Sequence, residues 1–210
     1  TEIKNLVDAI TGDPVYLDLI NQPVGYTDVP IIRSYNGDSL MGSFLCDAIY
    51  NSLNQDGLPE NDVDVVFNNA GSQRADLIYS SYPHVMTYGE LFNVLPFGNS
   101  LVTGDMTGLQ ILELLNQSAT LYKGALHTSG ANYHFYHYED SLPGPQPWAW
   151  GAFEVEIKDK ASGLFEPIEL DRTYRVATNE FLAPSGGDGF TAFKSMENIT
   201  YWGDMLNTVT

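Results

Sequence analysis

A chain of 210 residues that is 43% hydrophobic and 12% aromatic can enclose a real core as one large domain or two small ones, which excludes global disorder. Its formal net charge of −18 disfavours duplex nucleic acid and anionic membranes as partners, because both are polyanions. No stretch approaches the roughly 18–20 apolar residues that cross a bilayer, and the single cysteine, Cys46, excludes an intrachain disulfide or a cysteine-based zinc site.

From the amino end, Thr1 to Ile10 carries Glu2, Lys4 and Asp8 and has no apolar leader core, so it is not a signal peptide. Residues 1–32, punctuated by Pro14, Pro23, Gly25 and Pro30, read as a linker segment. After Ser39, the residues Phe44, Leu45, Ala48, Ile49 and Leu53 recur at helical spacing, and Cys46 falls among them as a buried thiol. A polar turn over residues 54–61 leads to a β-branched run, Val63 to Phe67, that predicts a strand. Two capping boxes follow: Thr87 with Glu90 ahead of Leu91, and Thr107 with Gln110 ahead of Leu112 and Leu115. Ser100 to Thr103 lies between them and is strand-like.

The second half is strand-dominated, with aromatic or β-branched runs at Ala131 to Tyr138, Ala152 to Ile157 and Tyr174 to Thr178. Ser141 to Pro147 is proline-rich and is expected as a loop packed on the same domain, since Trp148 and Trp150 follow at once. Helices early and strands late, without βαβ alternation, predict an α+β fold. A main domain is expected over residues 33–200 and a C-terminal tail over 201–210.

Three loops carry groups suited to a ligand. Asn68 to Arg74 offers side-chain amides and Gly71 just after a strand, then a guanidinium able to grip a carboxylate or phosphate. Pro96-Phe97-Gly98-Asn99 can project a flat ring from a turn, with an amide beside it. In Glu180 to Phe190, Gly186, Gly187 and Gly189 let the backbone bend and approach closely around Asp188, a few residues after Phe181. The four histidines give no metal-ligand spacing: His84 and His127 are isolated, and His134 and His137 fall on opposite faces of a strand. No nucleophile elbow or phosphate-binding P-loop is present, so the residues offer an anion site with aromatics and no catalytic constellation.

In this order and spacing the segments Asn69 to Arg74, Thr87 to Asn99, Ser129-Gly130 and Tyr174 to Phe190 resemble the C-terminal domain of the 5′-nucleotidase family, over roughly residues 20 to 195. The resemblance implies a layered α/β/β/α arrangement with mixed sheets. It also implies that Phe97 and Phe181 sandwich a nucleoside base, that Asn99 and Asp188 lie near the base and ribose hydroxyls, and that Asn69 and Arg74 line the pocket with Arg74 on the phosphate side. Gly130 is implied as a backbone approach point beside the nucleoside. The family's metal pair, with its D-x-H and G-N-H-[ED] motifs, belongs to an N-terminal domain, and neither motif occurs here. The expected role is therefore nucleotide or nucleoside recognition for a hydrolase whose divalent metals sit in its own N-terminal catalytic domain, in an extracytoplasmic location. There are departures. Ala70 and Ser72 stand where the family usually has glycines, and Arg33 is out of step with its phosphate-binding arginines. These leave open a non-catalytic binding module that has lost the nucleotide. An acidic surface domain for calcium or carbohydrate rests only on charge and aromatic content.

Overall fold

The computed structural model describes residues 1–55, 57–137 and 150–210. The proline-rich stretch, Trp148 and the last residue of the strand predicted to Tyr138 lie outside them. At its centre is a five-stranded mixed sheet in the order β10 (Glu197–Asp204), β4 (Ser100–Thr107), β9 (Thr173–Asn179), β2 (Val65–Asn69), β5 (Leu126–Ser129). Only β2 and β9 run parallel; every other pairing in the sheet is antiparallel. The expected α+β class with mixed sheets is what forms.

Burial of both faces explains why β2 opens with the unalternated apolar run Val65, Val66, Phe67. Val65 and Phe67 point into one cluster with Val102, Met106, Leu114, Leu115, Tyr174 and Val176, while Val66 points into the other with Leu101 and Ala177. The first cluster is covered by α5 (Gly108–Ala119) and by a three-stranded antiparallel sheet of β6 (Ala131–His137), β7 (Trp150–Lys158) and β8 (Phe165–Pro167). The second is covered by α3 (Leu40–Asn54), α4 (Tyr88–Val94) and α6 (Met205–Val209).

The predicted helix starts hold at atomic detail. Ser39 caps α3 by accepting from the Gly42 amide at 3.0 Å. Thr87 and Thr107 form complete capping boxes with Glu90 and Gln110. Cys46 is fully buried on α3, and burial pushes its thiol pKa up, so it is an inert core group. The predicted strand Val63 to Phe67 is displaced: β2 spans Val65–Asn69, so Asn68 and Asn69 belong to the ladder rather than to the loop. Both side chains are buried and both amide oxygens accept from Asn179 Nδ2, a compensation that strand propensity does not register.

Residues 1–32 hold more than a linker. They form α1 (Glu2–Thr11), α2 (Pro14–Ile20), whose N-cap Asp13 accepts from the Val15 amide at 2.8 Å, and β1 (Pro23–Thr27), which pairs with β3 (His84–Thr87). At the other end, residues 201–210 complete β10 and form α6, whose Met205 and Leu206 are buried in the second cluster.

Candidate functional site

The parallel pairing of β2 and β9 brings the carboxyl ends of both strands to one edge of the sheet. Because β4 and β5 run antiparallel to their neighbours, their amino ends arrive there too. The four connections at that edge therefore meet, the usual place for a ligand in an open sheet with parallel strands. They enclose a cavity of about 380 Å³ lined by Tyr35, Asn69, Gly71, Ser72, Arg74, Phe97, Asn99, Lys123, Phe181 and Asp188, within the range of small-molecule sites. Six of the seven site residues expected from sequence are in it.

Asn69, the last residue of β2, donates from Nδ2 to Asp188 Oδ2 at 2.8 Å across 119 residues of chain. Its Oδ1 accepts from Asn179 Nδ2 at 3.1 Å. Asn179 ends β9, also donates to Asn68 Oδ1 at 3.0 Å, and accepts at Oδ1 from the Leu182 amide at 3.1 Å. One buried asparagine thus joins the Asn69 loop to the Phe181 loop. Asp188 has φ +55, and the neighbouring Gly187 leaves room for Phe181, since a Cβ there would come within 2.7 Å of that ring.

The two phenylalanines are presented, not buried: Phe97 is 56% and Phe181 44% exposed. Phe97 follows α4 in a turn whose Gly98 has φ +60. Arg74 stands over its ring, with Cζ 5.6 Å from the centroid, and donates to the Gly71 carbonyl at 3.3 Å.

Charge distribution singles out Arg74. Arg33 pairs with Asp76 at 3.1 Å, Arg172 with Glu169 at 3.5 Å and Arg175 with Asp105 at 3.0 Å. Among the described residues, Arg74 is the only arginine without a carboxylate partner. Arg33 also donates to the Gln73 carbonyl, and its backbone amide and guanidinium hold the Asp76 carboxyl below the ordinary range. It is not among the residues that line the cavity.

Gly130 is the exception among the expected site residues. It lies outside the cavity, at the corner between β5 and β6, with φ +79; a Cβ would come 2.2 Å from the Asp64 carbonyl oxygen and 2.7 Å from the Tyr50 ring. Backbone packing by itself requires a glycine here. Gly130→Ala is expected to cost at least about 2 kcal/mol, from the left-handed backbone and the clash. Thermal melting should fall by roughly 4–8 °C, while the folded protein's affinity for adenosine stays unchanged. A loss of affinity without a fall in melting temperature would return Gly130 to the site.

Tyr35 and Lys123 are the lining residues that sequence reasoning missed. Lys123 carried a signal: the chain has nine lysines and arginines in all, and this one sits beside Gly124 just before β5. Tyr35 carried none, since it reaches the cavity only because its carbonyl accepts from the Ala125 amide at 2.8 Å. Among the described residues no group of three or more His, Cys, Asp or Glu could hold a metal ion. The residues present therefore do not fit the family's metal pair.

An α+β domain with a small-molecule pocket at the edge where β2 and β9 end is the class that this fold and cavity define. The family described as "5′-nucleotidase, C-terminal domain" matches residues 23–195, and the chain belongs to it. Trifunctional nucleotide phosphoesterase protein YfkN of Bacillus subtilis is 32% identical over 186 residues, covering 84% of this chain and 11% of that protein. Cell wall protein Lmo0130 of Listeria monocytogenes is 32% identical over 197 residues, covering 87% of this chain and 23% of that protein. The crystal structure of a 5′-nucleotidase precursor from Thermus thermophilus superposes with a TM-score of 0.73 at 26% identity, over 98% of this chain and 38% of that one. The chain thus spans only a minor part of the relatives it matches.

Proposed function

We propose that this chain is the nucleotide-recognition domain of a 5′-nucleotidase-type phosphoesterase. The observation that carries the reading is the convergence of Asn69, Arg74, Phe97, Asn99, Phe181 and Asp188, drawn from three separate loops, on one cavity. A nucleoside base stacks between Phe97 and Phe181, Asp188 accepts from ribose hydroxyls, and Asn99 meets the base edge. Arg74, freed of any carboxylate, holds the phosphate. Hydrolysis itself is the work of divalent metals in a separate N-terminal domain, and no step of it is assigned to residues of this chain. The parent protein is extracytoplasmic, in keeping with a relative named as a cell wall protein. Among the described residues no helix is long and apolar enough to cross a membrane.

The test is calorimetric titration of the chain with AMP and with adenosine. Arg74→Ala should weaken AMP roughly 10- to 100-fold, the effect of losing a charge-assisted hydrogen bond, and leave adenosine nearly unchanged. Equal losses for the two ligands would remove Arg74 from the phosphate. With magnesium, manganese or zinc added, the chain alone should release no phosphate from AMP at enzyme-like rates, as a colorimetric phosphate assay would record.

A further inference from the structure

A second and larger cleft adjoins the nucleotide cavity. It has a volume of about 500 Å³ and is lined by Gln117, Thr120, Tyr122, Lys123, His137 and Trp150, together with Asp188 and the two residues after it. Lys123 and Asp188 line both spaces. These two side chains are therefore the border between the two spaces.

The groups in the cleft divide into those already satisfied and those available. Gln117 donates to Thr191 Oγ1 at 2.9 Å and accepts from the Ala192 amide at 3.2 Å. Thr120 donates to the Gln117 carbonyl at 2.7 Å. These two form a fixed wall. His137 Nδ1 lies 3.0 Å from the Ala119 carbonyl, which can only accept, so Nδ1 carries the proton and Nε2 is left as an acceptor. Lys123 has no carboxylate partner among the described residues; its Nζ lies 5.3 Å from the Tyr122 ring centroid. Tyr122 is 75% exposed, and Trp150 is half-buried opposite His137 in the β6–β7 ladder. An ammonium, two aromatic rings and an imidazole nitrogen match an anionic linkage followed by a planar group bearing amino or hydroxyl donors.

Asp188 gives the direction. In the proposed pose it accepts from the ribose hydroxyls, and because Asp188 and Lys123 also line the second cleft, whatever extends from that sugar edge faces Lys123 and that cleft. We propose that this cleft is a second subsite, taking the phosphate-linked second nucleoside of a 3′–5′ dinucleotide whose first base lies between Phe97 and Phe181. The phosphodiester meets Lys123, and the second base lies against Tyr122 and Trp150. This rests on the nucleotide reading of the first cavity and adds a substrate class to it.

The experiment compares calorimetric affinities for AMP, adenosine 3′,5′-bisphosphate, the dinucleotide pApA and a 5′–5′-linked diadenosine diphosphate. The dinucleotide pApA should bind at least tenfold more tightly than AMP, with the bisphosphate in between. Tyr122→Ala, at an exposed position, should remove most of that gain and leave AMP affinity unchanged. Trp150→Phe keeps a ring in the wall and should retain most of the gain, whereas Trp150→Ala should lose it. If AMP binds but pApA binds no more tightly, the subsite is wrong and the nucleotide reading stands. If the 5′–5′ dinucleotide gains and pApA does not, the assigned direction is wrong. If none of the four binds, both readings fall together.

Discussion

Replacing Phe181 by alanine should weaken adenosine binding by about 5- to 150-fold, and replacing Phe97 should do the same, since stacking on one aromatic face contributes about 1–3 kcal/mol per base. The double variant should show no measurable binding. Neither ring is part of the core, at 44% and 56% exposure, so both variants should melt close to the parent. Phe92→Ala, at an exposed position on α4 outside the cavity, is the matched control and should bind normally. Phe97→Ala should hurt AMP more than adenosine, because Arg74 stands over that ring and loses its support. Isothermal titration of the parent and the four variants decides the matter. Adenosine affinity within twofold of the parent in the double variant would end the sandwich reading.

Asn179→Ala should produce the largest loss of stability among polar substitutions here, about 3 kcal/mol or more. It orphans the Leu182 amide and Asn69 Oδ1, two buried groups each costing about 1–3 kcal/mol when unpaired. It also removes the donor to Asn68 Oδ1, which keeps Ser72 Oγ within reach at 3.0 Å. For a chain of this size the melting temperature should fall by roughly 6–12 °C. Ligand affinity should fall as well, because Asn69 turns toward Asp188 only while Asn179 holds its other end. Asn179 touches no part of the cavity itself, so it is a positioning residue. Its signature is a joint loss: urea unfolding and adenosine titration should both move. A variant that melts within 2 °C of the parent would show that the asparagine cluster holds nothing together.

Much of the local structure was legible because its causes are local. A capping threonine and a glutamate or glutamine three residues on define a helix start within four residues, and both boxes formed. Apolar periodicity after Ser39 placed α3, and turn chemistry placed the glycine-rich segment around Asp188. The motif residues were legible as a set through the family resemblance. Projection of Phe97 was legible from its Pro-Gly turn, whereas Phe181 carries no such local signal: a phenylalanine defaults to the core, and it is the glycine at 187 that leaves room for this ring.

The capping boxes, the α3 register, the inert buried thiol, the acidic character and the family could all be read before any fold was known. Each depends on residue type and short spacing. Tertiary structure alone decided which cations are available, because an ion pair such as Arg33–Asp76 links residues 43 positions apart. It decided that Asn68 and Asn69 extend β2, since both of their buried amide oxygens accept from the distant Asn179. It also placed Gly130 at a corner and Lys123 between two cavities. The edge that carries the cavity follows from the parallel pairing of β2 with β9, a contact across more than a hundred residues that no short window of sequence contains.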